Sequence, residues 1–258
     1  EAGIRPFCSD FAADYTCMEI LQGLSVQNLT SQEGREWRQQ YESGQTNQLE
    51  EGVWLPVFER MMEFIDCAGI SATDLEGNPG DVYQDFQEGK TAMIRGTSAE
   101  ATRYGVAEDA VMLPYLGDTP QDSWYLTYPA FQIAASTRAE NSPQREALIL
   151  RILDAMLGQE GFRHIATGQD MIAYNKGTEL ELSPMMEQIG PYIDSNRLYI
   201  RLASSDMFSI SRQVVQGMIR GKYPDARSAF DAFNEAMRAG GEKEHVAVHI
   251  DTGYDYRF

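Results

Sequence analysis

"QDFQEGKTAMIRGTSAEATRY", Gln84 to Tyr104, compresses a helix, a stop, a strand, a turn and a second helix into one short run. Gly89 follows helix-forming residues and supplies the left-handed backbone in which helices commonly end. The run "TAMI", Thr91 to Ile94, reads as a short strand. Gly96 lets the chain turn at its end, where Arg95, Thr97 and Ser98 can face outward. Thr97 or Ser98 also stands where the cap of the next helix belongs, so the turn either only caps that helix or also touches a ligand.

Helical patterns dominate on both sides. "SDFAADYTCMEILQGL" has a possible cap at Ser9 or Asp10 and places Phe11, Tyr15, Met18 and Leu21 or Leu24 at helical spacing, with a stop expected near Gly23. "SQEGREWRQQYESGQTNQ" predicts a short helix and loop, with Trp37 and Tyr41 one turn apart. "GVWLPVFERMMEFIDCAGI" carries Trp54, Val57, Phe58, Met61 and Ile65 on one stripe and Gly69 as its stop. "SPQREALILRILDAMLG" is apolar on so many sides that a largely buried helix is expected, ending at Gly158. "QEGFRHIATGQ", "SPMMEQIGPYI", "SISRQVVQGMIRG" and "DARSAFDAFNEAMRAGG" predict further helices. Strands are expected in "EDAVMLPYLGD", in the aromatic "WYLTYPAFQIAAS", in "DMIAYNKG" and, as strand or tail, in "EHVAVHIDTGYDYRF".

The chain has 258 residues, 43% of them hydrophobic, enough for one large core or two smaller ones. Its formal charge of −18, without a basic block, argues against nucleic acid as a partner. No apolar run of about eighteen residues occurs, and the first residues lack a signal pattern, so an export signal is expected to lie outside this sequence or to have been removed. Cys8, Cys17 and Cys67 are an odd count without metal-ligand spacing. A single disulfide, for instance Cys17 with Cys67, and buried free thiols are both compatible with that count.

Positive signals for catalysis and metals are missing. No GxSxG, Walker, GxGxxG or HExxH motif is present. His245 and His249 fall in an alternating pattern, where four residues separate two side chains by about 13 Å, too far for one metal. His164 reads as a structural histidine of a helix rather than a base. Asp74, Glu76, Asn78 and Asp81 in "SATDLEGNPGD" do not fit the spacing of a calcium loop and read as capping and turn residues. A carboxylate-pair hydrolase stays open at this level, because acidic residues are many and sequence gives no geometry. No catalytic residue, metal or cofactor is therefore expected.

The order of elements carries a resemblance. "VYQDFQEGKTAMIRG", "VMLPYLGD", "WYLTYPAFQIAAS", "SPQREALILRILDAMLGQEGFRHIATG" and "VVQGMIRGKYPDARSAFDAFNEAM" resemble, over roughly residues 75 to 240, the family 1 extracellular solute-binding proteins of carbohydrate-type ABC importers. Phe86, Gly89, Lys90, Ala92 and Met93 match a helix end followed by a strand, Glu160 and Gly161 match a pair opening a helix, and Gly221 with Ala229 match a late helix-hairpin signature.

The resemblance implies an α/β, periplasmic-binding-protein-like fold of type II, mainly the helix-rich second lobe plus part of the first. On it, residues 1–123 and 180–240 form the second lobe, 124–179 complete the first, and 241–258 are a terminal strand or tail. It further implies a non-catalytic protein that captures a small solute, a carbohydrate, and delivers it to the membrane permease of an ABC importer. The implied location is extracellular, at the cell surface or periplasmic, the lipoprotein form included. The alternative is a truncated or fused lobe acting as a sensor or interaction module.

Sugars offer C–H faces to aromatic rings and hydroxyls to polar side chains. Phe7 with Ser9 and Asp10, Arg95 with Thr97, and Trp124 with Tyr125 stand at loop or strand ends that suit this. Trp124, in the polar "QDSWY" stretch, is the leading stacking candidate, with a strand-end core position as its other reading. Phe208, after "LASSD", is a candidate by the resemblance. Thr97 stands where sugar binders of the family commonly carry an aromatic residue.

Overall fold

A computed structural model describes residues 3–106, 110–128, 135–137, 142–167, 172, 183–202 and 204–240. The order is β1 (Arg5–Cys8), α1 (Asp14–Leu29), α2 (Gln32–Glu42), α3 (Glu51–Ala68), α4 (Pro79–Gln87), β2 (Thr91–Ile94), α5 (Ser98–Tyr104), β3 (Tyr125–Thr127), α6 (Pro143–Leu157), α7 (Gln159–Thr167), α8 (Gly190–Asp194), β4 (Leu198–Ile200), α9 (Ser205–Ile219) and α10 (Ala226–Ala239). Short 3₁₀ turns precede α4, β3 and α8. The architecture is a helix-rich α/β fold. Its described strands form two parallel pairs, β1 with β2 and β3 with β4, as separate ladders.

The chain divides into two compact units. The first comprises residues 1–9, 78–115 and 123–201, and the second 10–77, 116–122 and 202–258. Within the first unit strand pairing ties the first residues to the 78–115 segment: Arg5 lies opposite Thr91, Phe7 opposite Met93 and Cys8 opposite Ile94.

The second unit has a dense core. α1 is buried along Thr16–Gly23 and again at Ser25, Val26 and Leu29, packed by α3 and α9. α10 lies on α3 and α9, where Phe58 meets Phe230 and Phe233 edge to face at 5.9 and 5.8 Å. Trp37 stacks on Tyr41 at 5.2 Å and meets Trp54 edge on at 5.1 Å, so both tryptophans read from the sequence as packing residues pack.

Two side-chain amides replace backbone partners inside this unit. Gln22 donates from Nε2 to the Leu202 carbonyl (2.9 Å) and accepts the Leu202 N–H at Oε1 (2.7 Å). Asn234 accepts the Leu49 N–H (2.7 Å) and donates to its carbonyl (3.1 Å). Truncating one leaves a buried N–H and C=O unpaired. Asn234→Ala is expected to lower stability by about 2–3 kcal/mol, read by urea unfolding with an unchanged m value. A loss under about 0.5 kcal/mol would show that water replaces the clamp.

Several expectations are corrected. α1 starts at Asp14 rather than at a Ser9 or Asp10 cap, and it runs through Gly23 to Leu29. Gly23 is buried among packed helices, where interhelix contact outweighs its weak helix propensity. Residues 110–117 form no strand; an isolated antiparallel bridge joins Tyr115 to Trp124. α6 forms with Pro143 in its first turn, but none of its residues is fully buried. Asp74 and Asn78 act as caps, as expected: Asp74 closes a capping box with Ser71, and Asn78 accepts the Asp81 N–H at 3.2 Å. The expected extended run 170–177 apart from Ile172, the tail 241–258 with His245 and His249, and most of the aromatic stretch after Tyr128 lie outside the described residues.

All three cysteines are free thiols, so the Cys17–Cys67 bridge is not formed. Cys8 and Cys17 are buried and Cys67 is exposed. Burial, reinforced by the charge of Asp10, pushes the Cys17 thiol up to about 12. Native protein is expected to react with iodoacetamide rapidly at Cys67 alone, the other two thiols becoming reactive on unfolding. Rapid native labelling of Cys17 would contradict this packing.

Candidate functional site

In open α/β sheets, ligands are bound beyond the carboxyl ends of parallel strands. The candidate site of the first unit is therefore built where β1 and β2 end. β1 positions Phe7 and runs into Ser9, both buried, while β2 runs into Arg95, Gly96 and Thr97. Arg95 is buried, and its Nη1 donates to Glu100 at 3.0 Å. The same carboxylate accepts the Thr97 N–H and hydroxyl, each at 3.1 Å. The Thr97 hydroxyl in turn accepts the Glu100 N–H at 3.2 Å, which closes a capping box at the start of α5. Arg95, Thr97 and Glu100 thus form one polar knot at the strand end, and the capping role read for Thr97 is realised.

Gly96 serves this corner by being small. It lies outside the left-handed region, whereas Gly89 adopts φ 69° as the helix stop. A Cβ on Gly96 would collide with the Tyr83 hydroxyl. Tyr83 stacks on Tyr104 at 4.6 Å, so the turn is wedged against an aromatic pair.

The start of β3 supplies an apolar neighbourhood. The Trp124 N–H donates to the Tyr115 carbonyl at 3.1 Å, and the Tyr115 N–H returns the bond at 2.9 Å. Burial pushes the Tyr115 phenol up to about 12, with the Arg95 charge pulling the other way. Trp124 is only 7% exposed, the strand-end core position that was its other reading. Tyr125 belongs to a cluster with Met186, Ile189 and Leu198, donates its hydroxyl to the Met112 carbonyl at 2.6 Å, and meets Tyr192 edge on at 4.9 Å. Burial raises its phenol to about 12.

Two candidates lie in the second unit. Asp10 is buried and accepts from the Tyr15 hydroxyl (2.8 Å) and the Thr16 hydroxyl (2.5 Å), so it fastens the entrance to α1. Phe208 is half-buried in the first turn of α9. That helix is capped by Ser204, which accepts the Met207 N–H at 3.1 Å and pairs with the Tyr41 hydroxyl at 3.0 Å.

The strand ends also present a pair absent from the sequence reading. Beyond β3 and β4, the Arg201 guanidinium lies 4.0 Å over the Tyr128 ring, and the Arg201 N–H donates to the Thr127 carbonyl at 2.9 Å. Burial lowers the Arg201 guanidinium to about 10. A tyrosine and an arginine each directly following a short strand were the available signal, but the pairing of those strands is long-range and left no local trace. Such a stacked cation can serve a sugar hydroxyl or an anionic group. Among the described residues no group of three or more metal-ligating side chains converges, and His164 is exposed on α7. No described helix is long and apolar enough to cross a membrane.

A solved family 1 extracellular solute-binding protein from Bifidobacterium longum subsp. infantis superposes on the chain with a TM-score of 0.70 at 17% sequence identity. The match covers 92% of this chain. The fold is that of a solute-binding protein. The chain spans 62% of the length of that structure, so more than a third of the solved protein has no counterpart here. No protein-family model and no curated protein matches the sequence. A likeness carried by backbone path with so little identity leaves ligand chemistry to be argued from the chain's own side chains.

Proposed function

We propose that this chain belongs to a non-catalytic extracellular solute-binding protein that captures a small solute, a carbohydrate, between two lobes and hands it to the membrane permease of an ABC importer. The observation that carries the proposal is the solute-binding fold shared over nearly the whole of this chain. The parallel-strand ends support it: Arg95 and Thr97 stand beyond one ladder, and beyond the other the Arg201 guanidinium lies over the Tyr128 ring, a polar and aromatic pair of the kind solute recognition uses. Closure around the ligand is then the mechanism, and recognition is its only chemistry. In this reading Phe7, Ser9, Asp10, Arg95, Trp124 and Tyr125 shape the walls from within the packing, while Thr97 and Phe208 reach the solute.

A second reading is favoured by the 62% coverage: a partial binding protein that acts as a sensor or interaction module without transport. A thermal-shift screen of the chain against mono- and oligosaccharides, with amino acids and peptides as controls, separates the two. Ligand at about a hundred times its Kd adds roughly 2.7 kcal/mol, a rise of several degrees in midpoint. A rise with one sugar class is expected. A rise with amino acids or peptides alone would replace the carbohydrate assignment, and no rise with any solute would leave the interaction module standing.

A further inference from the structure

Each parallel ladder of the first unit runs into an arginine: Arg95 directly follows β2 and Arg201 directly follows β4. Their neighbours differ in kind. Arg95 donates to the Glu100 carboxylate at 3.0 Å, whereas the Arg201 guanidinium rests 4.0 Å over the Tyr128 ring. Register explains the stack. Leu126 lies opposite Tyr199 and Thr127 opposite Ile200, so one residue further Tyr128 faces Arg201 across the ladder. Side chains alternate between the two faces of a strand, which puts Tyr128 and Arg201 on the face of Leu126 and Tyr199. The other face carries Tyr125 and Leu198, both packed in the cluster with Met186 and Ile189. The pair therefore stands on the face away from that core, at the carboxyl end of the strands, where α/β sheets present ligands.

Stacking on a ring engages the flat face of a guanidinium, whereas its N–H donors lie in the plane and point outward from the edge. The Tyr128 ring thus fixes the plane of the donor fork before a ligand arrives, and a fork of that shape matches the two oxygens of a carboxylate. Burial sharpens the choice between a hydroxyl and an anion. Arg201 is half-buried, and burial lowers its guanidinium to about 10, so part of the hydration of the cation is already lost. A carboxylate restores by its charge what burial removes, which a neutral hydroxyl does not.

We propose that Arg201, held flat on Tyr128, is the subsite for a carboxylate on the solute, so that the sugar taken by this chain is a uronic acid or an oligosaccharide that contains one. The proposal rests on the carbohydrate reading above and narrows it to acidic sugars. A chain of formal charge −18 repels such a ligand at a distance, which makes a positioned cation at the site the more necessary.

The test measures dissociation constants by titration calorimetry for matched pairs, galacturonate against galactose and glucuronate against glucose, as monosaccharides and as short oligosaccharides. The methyl esters of the two acids serve as uncharged analogues, and a hexose phosphate as a second anion. The acid is expected to bind about tenfold or more tighter than its neutral partner and its ester. Arg201→Gln is expected to bring that ratio close to one. Arg201→Lys, which keeps the charge without the fork, is expected to leave an intermediate ratio and serves if Arg201→Gln does not fold. The comparison of acid with ester needs no variant. Neutral sugars bound as tightly as the acids, or a ratio that survives both substitutions, would overturn the carboxylate subsite and leave the carbohydrate reading in place. A hexose phosphate bound more tightly than the uronates would overturn the choice of a carboxylate. Binding of no sugar, acidic or neutral, would overturn both the subsite and the reading on which it rests.

Discussion

Phe58→Ala is expected to remove about 4 kcal/mol of stability from the second unit and to lower its unfolding midpoint by roughly 10 °C. Phe58 is fully buried on α3 and is the ring shared by two edge-to-face contacts, with Phe230 and Phe233 of α10. Truncation loses the transfer free energy of a phenyl ring, leaves a cavity that two helices cannot both close, and forfeits two aromatic contacts of about 0.5–1.5 kcal/mol each. Calorimetry and urea unfolding read the effect. A loss below about 1 kcal/mol would mean that α10 is not held on α3 by these rings. The two-unit organisation gives the experiment a second readout, since a transition belonging to the first unit should move less than that of the second.

Gly34→Ala is expected to cost about 3 kcal/mol, against the ordinary sign of such a change. Alanine in place of glycine within a helix normally gains about 1 kcal/mol. At Gly34, in the first turn of α2, a Cβ would overlap the Asn28 carbonyl oxygen and the Leu29 Cα, backbone atoms that end α1. Backbone has no rotamer with which to retreat, so the tight corner between α1 and α2 must open. That corner also carries the Ser31 cap, which accepts the Gly34 N–H at 3.1 Å. Gly52→Ala is the companion: its Cβ would meet nothing closer than the Glu33 carboxylate at 3.6 Å, so the normal stabilising sign is expected there. Equal and positive effects at both positions would refute the close approach of α2 to α1.

The local grammar of the chain was largely legible. Gly69 and Gly89 end helices in the left-handed conformation, Thr97 caps α5, Pro143 opens α6, and the stripe of Ala226, Phe230, Phe233 and Met237 buries one face of α10. Each depends on a residue and its near neighbours, within reach of caps, turns and helical periodicity. Gly161 was legible as a motif but not as a mechanism. It stands at the α6–α7 corner, where a Cβ would overlap the Ala155 carbonyl oxygen.

The candidate site was legible only as strand ends. Trp124 and Tyr125 carry the aromatic character expected of a sugar wall, yet the backbone bridge to Tyr115 and the hydroxyl bond to Met112 hold them within the packing. Arg95 and Thr97 were found together, but Glu100, which binds both, was missed because an acidic residue in a first helical turn looks like any other. Tyr128 and Arg201 were missed because β3 and β4 come from distant parts of the chain.

The helices α1 and α6 mark the boundary between the two kinds of knowledge. α1 mixes Thr16, Glu19, Gln22 and Ser25 with its apolar residues, yet all of these are buried; α6 is apolar on most sides, yet none of its residues is. Composition and spacing determined by themselves that both are helices, because capping and rotamer preferences act over a few residues. Which helix becomes the centre of a core was decided by tertiary structure alone. Burial is a property of what lies on the other side of a face, and for α1 that is α3, α9 and the backbone of Leu202, which gives Gln22 both hydrogen bonds that its amide requires.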